Sequence, residues 1–473
     1  MEPDAAELLR DRLLNGLDER ARRVKVLEDY YTGDHPQPKP PGKLDPAAFA
    51  EAVKAWRSLT RLGVTNWVKL VADAPANRIA VTGFRFGDAV SGDDDAWRIW
   101  QTNHLDADQA LVHDNALQTG QSAVIVWAGP DKEPLITCEH SSQVIVAYEP
   151  GSRRRRQAAL KRWQGDDGRI YCTLYLPDEI RKYRTTSTRS GFGQAVDGQN
   201  SWEQRDVPGE AWPLPNPLGI VPVVEFRANP SLRPSPLGGG VAEFEPVLPI
   251  QDRINKTVFD RMVTAESQAF RQRWAIGWDP PRDPETGLPD PAKTLKASQS
   301  LLWGLAGDPS EVKVGEFAQA DFSGFLKAVE SDVQAMAAIS ETPPYYLLGG
   351  MENIAAEGII ASEAGLIAKT YKHLDQFGES WEEVLSLALR VKGDARADDP
   401  STRVLWRDVE QRTWAQTMDA LVKMQALGVP TEELWSRIPN ATPPDVARWK
   451  AMAAADALLS PLPTEPVAPV AAE

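Results

Sequence analysis

The sequence is short of cysteine and of long apolar runs. Its two cysteines, Cys138 and Cys172, are too few for a disulfide framework and are read as reduced thiols in apolar segments. The best apolar run, Ala123–Ala128, has the length of a strand and not the ~18 residues of a membrane helix. The first residues are acidic and carry no apolar signal segment, so we expect neither secretion nor a membrane anchor.

Basic residues are also in deficit. The 473 residues contain 52 Lys and Arg against 67 Asp and Glu, which gives a formal net charge of −15. This balance argues against a broad basic face that grips DNA. With 42% hydrophobic and 25% charged residues the composition is that of a soluble globular chain, and the length suggests about three domains.

The motifs of common enzymes are missing. No phosphate-binding loop of the form G-x-x-x-x-G-K-[ST] occurs, and the one Gly-Lys pair, Gly42-Lys43, lies among prolines. No nucleophile elbow occurs, and the five histidines are scattered without metal-ligand spacing. We therefore expect no ATP hydrolysis, no cofactor, no metal and no catalytic residue.

Two clusters of acidic or metal-ligating residues offer alternative interpretations. Asp93-Asp94-Asp95 resembles part of a two-metal nuclease site, but a helix N-terminus explains it better, because carboxylates cap and stabilise that end. Cys138 and His140 share one face of a predicted strand and could bind a metal, although an ordinary strand edge is the simpler interpretation.

Hydrophobic periodicity predicts a mixed α+β chain. Helical spacing covers residues 4–32, 47–80, 93–119, 243–266, 321–340 and 356–391, with two or three shorter helices in 408–456. Alternation predicts strands at 122–128, 135–140, 143–148, 158–164, 169–176, 180–184 and 221–227. Residues 267–320 read as irregular and short-stranded, and 457–473 as a disordered tail.

Two charge features stand out. Arg153, Arg154, Arg155 and Arg156 form a basic run at a predicted hairpin tip, which is either a solvated turn or a contact for an acidic partner. From Ala328 to Ala368 there is no Lys or Arg in 41 residues, and the only charges are acidic.

The order of these segments resembles the portal, or head–tail connector, proteins of tailed bacteriophages of the siphovirus type. The resemblance covers roughly residues 5–455 and rests on the helical and β-rich first half, the helix at 243–266 and the small insert before the helix at 321–340. Its last part is the segment Ser340-Glu341-Thr342-Pro343-Pro344 running through Gly349-Gly350 into a long helix.

The resemblance implies a portal fold with the following parts, of which the insert and crown are more compact than in larger relatives. Residues 1–242 would be the wing, 243–266 and 321–341 two stem helices, 267–320 a small α/β clip, 342–399 the tunnel loop and long kinked wing helix, and 400–456 a helical crown. Gly358 and Gly365 fit a bend in the long helix, since glycine weakens a helix interior.

The resemblance also implies the site residues. The tunnel loop facing DNA would comprise Gly349, Gly350, Met351, Glu352, Asn353, Ile354, Ala355 and Ala356, and the stem cations Arg253, Lys256 and Arg261 would line the channel. Trp274, Trp278 and Trp303 in the clip would form a partner or inter-subunit surface, or alternatively a small local core.

The implied function is a homo-oligomeric ring of about twelve copies at one capsid vertex, assembled in the host bacterial cytoplasm. Double-stranded viral DNA would thread through it, bound weakly and without sequence specificity. The implied protein partners are the terminase large subunit, the major capsid and scaffolding proteins and a head-completion or adaptor protein. Another phage head structural or adaptor protein, and less favourably a metal-dependent nuclease, remain the alternatives.

Overall fold

A computed structural model describes residues 4–36, 61–87, 89, 92–186, 202–232, 239–269, 273–277, 284, 286–288, 313–316, 321–349, 356–410, 414–438 and 441–459. The chain divides into two compact units. The first comprises Met1–Glu28, Val71–Glu245 and Ala355–Glu473, and the second Asp29–Leu70 and Pro246–Ile354.

The described residues form α-helices along the whole chain, numbered in chain order. They are α1 Ala5–Thr32, α2 Trp67–Ala76, α3 Asp94–Thr102, α4 Leu105–Thr119, α5 Leu248–Ala269, α6 Ser323–Ile339, α7 Pro344–Leu348, α8 Ala356–Lys392, α9 Trp414–Ala426, α10 Thr431–Ser436 and α11 Pro443–Leu459.

The strands of the described residues form four sheets, and the strands themselves are numbered in chain order. They are β1 Val81–Arg85, β2 Gln121–Ala128, β3 Pro134–Glu139, β4 Val144–Tyr148, β5 Arg156–Gln164, β6 Ile170–Tyr175, β7 Glu179–Thr185, β8 Trp202–Gln204, β9 Leu214–Pro215, β10 Val223–Arg227, β11 Arg273–Ile276, β12 Lys313–Glu316 and β13 Arg403–Trp406. The largest sheet has the order β4-β5-β6-β7-β8 with β9 on β7, the second has the order β10-β2-β3, and β1-β13 and β11-β12 are antiparallel pairs.

Alternation along the strands arranges the first unit in layers. On one face of the large sheet, Leu160 and Leu174 pack against Leu13 and Leu17 of α1. On the other face, residues such as Val146 and Ala159 pack against Ile125 and Val223 of the three-stranded sheet. Because side chains alternate along a strand, one β-meander buries two different cores.

The far face of the three-stranded sheet is covered by α4 and α8. Trp381 of α8 is fully buried, with ring centroids 4.7 Å from Phe226 of β10 and 4.8 Å from Trp100 of α3. Its Nε1 donates to Nε2 of His113 on α4 at 2.9 Å. Burial lowers the pKa of His113 to about 3, so this histidine is a neutral acceptor in the core.

A close backbone approach joins α4 to the chain before α5. Gly120 ends α4 with φ +90°, and a Cβ there would lie 2.6 Å from the Gly240 carbonyl oxygen. A Cβ on Gly240 would lie 1.8 Å from the Ala228 carbonyl oxygen. Side chains cannot fit at this crossing, so the two glycines are sterically required.

In the second unit, α5 packs against α6. Ile254, Val258 and Phe259 of α5 are buried, as are Val333 and Met336 of α6. Hydrophobic side chains recur every three to four positions along α5, and most of its exposed residues lie on the remaining arc of the helix.

The structure confirms the predicted α+β class and the seven predicted strands, each within about two residues. The single helix predicted over residues 93–119 is wrong, because His104 adopts φ +57° and separates α3 from α4. Strands β1 and β13 were not predicted. The single helix predicted over 47–80 is wrong, because residues 63–66 separate the helical residues 61–62 from α2 at Trp67–Ala76 and residues 77–80 are not helical, while 47–60 lie outside the described residues.

Two further predictions concern the C-terminal tail and the long helix, and their outcomes differ. Residues 457–459 belong to α11 and are helical, whereas 460–473 lie outside the described residues. The long helix predicted at 356–391 is confirmed as α8, a continuous helix of 37 residues that contains Gly358 and Gly365. The bend at these glycines stays a prediction.

Candidate nucleic-acid interface

Two of the three predicted cations of α5 meet acidic partners. The guanidinium of Arg253 donates from Nη2 to Asp332 Oδ1 on α6 at 2.6 Å and from Nε to Oδ2 at 2.9 Å, a two-pronged pairing. This carboxylate raises the pKa of Arg253. Lys256 pairs with Asp260 one turn further along α5. Both charges are therefore locally neutralised, although the side chain of Arg253 is 58% exposed.

The third predicted cation, Arg261, is half-buried near the end of the described side chains of α5. No ion-pair partner for it occurs within the ranges described above. Lys256 lies on the arc of α5 opposite the buried Ile254 and Val258. Arg261 follows Ile254 by two helical turns and therefore lies on the same face as these residues, where it is half-buried. Arg253 reaches across to Asp332 of α6.

The Lys/Arg-free stretch shows its charges in α6 and the turn after it. Glu330 and Glu341 are exposed, and Asp332 is held by Arg253. In α8, Glu363 accepts from Arg78 at 3.1 Å, a pair that is mostly buried. In the described residues between Lys327 and Gly349, the surface charges without an ion-pair partner are therefore acidic.

The predicted tunnel loop begins where α7 ends. Gly349 caps α7 with φ +69°, and its N–H donates to the Tyr345 carbonyl oxygen at 3.0 Å. Ala356 is the first residue of α8. Gly350, Met351, Glu352, Asn353, Ile354 and Ala355 lie outside the described residues.

A buried polar cluster fixes α5 to the residues that precede and begin α2. Asn255 Oδ1 accepts from the Thr65 N–H at 3.1 Å, and Gln251 Oε1 accepts from the Trp67 N–H at 3.0 Å. Asn255 Nδ2 donates to His35 Nδ1 at 2.7 Å, while His35 Nε2 donates to the Tyr30 carbonyl oxygen at 2.8 Å. Burial lowers the pKa of His35, so it is neutral here.

Sequence reasoning missed this cluster. The available signal was a pair of amides, Gln251 and Asn255, spaced four residues apart beside the apolar stripe of α5. Such a pair lies on one helix face and is satisfied only by partners from elsewhere in the chain.

The four arginines of the basic run all find acceptors in the chain. Arg156 is buried and pairs with Glu383 of α8 at 2.7 Å, and Arg153 donates to the carbonyl oxygens of Ser231 and Leu232. Arg155 pairs with Glu149 at 3.3 Å, and Arg154 lies 4.0 Å from Glu379. Arg153, Arg154 and Arg155 are exposed at this hairpin, with the side chains of Arg154 and Arg155 90% and 77% exposed.

The alternative metal clusters have structural roles. Asp93 Oδ1 accepts from the Ala96 N–H and caps α3, as the helix-end interpretation predicts, and its other oxygen pairs with Arg396 at 2.7 Å. His140 Nε2 lies 2.7 Å from Glu28, and its Nδ1 is 2.8 Å from the Ser142 hydroxyl. No group of three or more possible metal ligands occurs among the residues with described positions.

The predicted tryptophan surface falls largely outside the described residues. The backbone of Trp274 lies in β11, opposite Gly315 of β12, while its side chain, Trp278 and Trp303 are not described. The short antiparallel pair confirms the short-stranded character predicted for part of 267–320.

A family model supplies the decisive comparison. The model for phage portal proteins of the SPP1 Gp6-like type matches residues 10–457. The chain belongs to this family of phage portal proteins. The family is structural, and the predicted resemblance to portal proteins is confirmed.

Two curated relatives carry the same designation. The portal protein of Mycobacterium phage D29 is 29% identical over 439 residues, which cover 89% of this chain and 82% of that protein. The portal protein of Mycobacterium phage L5 is 28% identical over 438 residues, with the same coverage of both chains.

Solved structures show weaker likeness. A chain in the neck of an empty gene transfer agent particle matches with a TM-score of 0.42 and 14% identity, covering 77% of this chain and 89% of that one. A chain in the virion of a native gene transfer agent matches with a TM-score of 0.42 and 12% identity, covering 87% of this chain and 96% of that one.

Among the described helices, none is long and apolar enough to cross a membrane.

Proposed function

We propose that this chain forms a ring-shaped channel of about twelve copies at one capsid vertex, through which double-stranded viral DNA is packaged and later ejected. The observation that carries the proposal is membership of the portal family over residues 10–457. The pairing of Arg253 and Lys256 with carboxylates supports it, because a channel must surround DNA without holding it.

The physical requirement is weak, non-specific contact. Each cation that neutralises a phosphate releases counterions and adds salt-dependent affinity, and a ring repeats every such contact. Pairing Arg253 with Asp332 and Lys256 with Asp260 removes two potential phosphate contacts per subunit. DNA would therefore slide along a wall with little net attraction.

The parts are assigned as follows. Helices α5 and α6 are the stem, with Arg253, Lys256 and Arg261 towards the channel, and the β11–β12 region between them is the clip, with Trp274, Trp278 and Trp303 on its partner surface. Residues Gly349–Ala356 are the tunnel loop, α8 is the long wing helix, and α9–α11 are the crown.

The proposed partners follow from this role. The ring would dock the terminase large subunit, whose ATPase must reside in that other polypeptide because this sequence has no phosphate-binding loop. It would be incorporated with major capsid and scaffolding proteins and would later bind a head-completion or adaptor protein. The basic run Arg153–Arg156 is the proposed capsid or scaffold contact, with Arg153, Arg154 and Arg155 exposed and Arg156 held by Glu383.

The tunnel loop gives the sharpest test. Deleting Gly350–Ala355 should leave rings intact but reduce the DNA that assembled particles package or retain. The matched control replaces Gly349–Ala356 with a Gly/Ser segment of equal length, which keeps the span and separates loop length from loop chemistry. Unchanged DNA content in particles built with the deletion would refute the assignment.

A further inference from the structure

The large sheet of the first unit is only partly covered by the three-stranded sheet, and a groove opens where the cover ends. Its cavity volume is about 230 Å³. Trp127 of β2 and Leu135 of β3 form one wall, and Trp163 of β5 and Tyr175 of β6 form the other. The groove continues the apolar core that Ile125 helps to form, so its floor is hydrophobic and its mouth faces solvent.

Three cations line this groove, but two of them are already neutralised. Lys161 pairs with Glu139, whose carboxylate is almost fully buried, and Lys182 pairs with Glu210. The third, Arg205, follows β8 and has no carboxylate partner among the described residues. The groove thus carries about one unneutralised positive charge on an apolar, aromatic surface.

Aromatic rings hold the Arg205 guanidinium in place, and the described residues provide it with no polar side-chain partner. Its guanidinium carbon lies 5.2 Å from the ring centroid of Trp163 and 5.3 Å from that of Tyr171, and these two rings are themselves stacked 5.6 Å apart. Its Nε is buried and makes no hydrogen bond within the described part of the chain. A guanidinium fixed by aromatic rings with its donors unused is preorganised to bind a carboxylate.

The neighbouring sheet edge does not offer strand addition. Asn103 Oδ1 accepts from the Ile136 N–H at 2.8 Å, and Asn103 Nδ2 donates to the Pro134 carbonyl oxygen at 3.0 Å. The Ile136 N–H and the Pro134 carbonyl are the outward-facing groups of β3 with which an added strand would have to form hydrogen bonds. A ligand in this groove must therefore be recognised through its side chains.

We propose that this groove is a docking site for a peptide segment of another protein that presents one Asp or Glu beside an aromatic or aliphatic side chain. The carboxylate would bind Arg205, and the apolar side chain would fill the space between Leu135 and Trp163. The single unneutralised cation favours such a peptide over nucleic acid, which requires several phosphate contacts. All the residues that line the groove belong to a single chain, so the proposal does not depend on ring formation.

The test uses a displayed library of random seven-residue peptides selected on the purified full chain. Enriched peptides should carry Asp or Glu next to an aromatic or aliphatic residue. A resynthesised peptide should bind Arg205→Gln at least about tenfold more weakly in fluorescence anisotropy, because a charge-assisted hydrogen bond is lost.

A second variant guards against misfolding. Leu135 is 51% exposed, so Leu135→Asp should fold normally, yet it removes an apolar wall and repels the peptide carboxylate. Arg403→Gln, at an exposed position of β13, is the matched control and should bind like the parent chain. Peptides without acidic residues, equal binding by all three variants, or binding of labelled oligothymidylate that Arg205→Gln abolishes would each overturn the proposal.

Discussion

Replacing Asp332 with Asn tests the claim that the α5 cations are kept neutral so that DNA can slide. The change is almost isosteric and leaves Arg253 without its carboxylate. Because the arginine side chain is largely exposed, we expect little loss of fold stability and intact rings. The freed guanidinium can then contact phosphate.

Counterion release gives the size of the effect. Each new phosphate contact should steepen the slope of log affinity against log salt by about 0.9. Between 50 and 200 mM salt this corresponds to roughly a further 3.5-fold change in affinity per contact, multiplied by every subunit that contacts the duplex.

The assay is fluorescence anisotropy of a labelled linear duplex with assembled rings over a salt series. Asp95→Asn, which frees the exposed Arg98 on α3, is the matched control and should leave the slope unchanged. If Asp332→Asn rings gave the parental slope, the assignment of Arg253 to the channel wall would fail.

Three further predictions concern the fold. The pKa of His113 is about 3 in the folded chain, whereas the unfolded chain takes up this proton near pH 6.5. The contribution of the neutral histidine to the free energy of unfolding is therefore fully present above pH 6.5 and should fall by about 1.4 kcal/mol per pH unit below it. His113→Phe should flatten the pH dependence of the free energy of unfolding, measured in urea between pH 6.5 and 5, and an unaltered slope would contradict this. Lys369→Met should destabilise by about 3 kcal/mol, because it strips a partner from the buried Glu243, whereas Lys372→Met on the exposed side of α8 should have no effect in the same urea titration. Gly240→Ala should prevent soluble folding, because its Cβ would collide with backbone at the glycine crossing. Gly324→Ala in α6, which has open space around it, should raise the melting temperature slightly. A normal melting curve for Gly240→Ala would be incompatible with the packed crossing.

Local patterns predicted what is local. The strands of the meander follow from alternating apolar residues, and Asp93 as an N-cap follows from its place before a helical stripe. The break at His104 could not be foreseen, because a left-handed residue other than glycine is set by packing and not by propensity. Strand β1 escaped notice because its partner β13 lies more than 300 residues away.

The candidate site shows the same limit. The sequence displays the cations of α5 and the arginine run, and from these it suggests free positive charge. Their neutralisation depends on pairs such as Arg253 with Asp332 and Arg156 with Glu383, whose members are 79 or more residues apart. Charge counted along a chain therefore overstates the charge that a partner meets.

Imaging the purified chain by electron microscopy tests the central claim most directly. The account predicts closed rings of about twelve subunits around an open channel wide enough for double-stranded DNA, with α5 and α6 nearest the channel axis. Monomers, irregular aggregates, or rings whose channel is lined by other segments would contradict it.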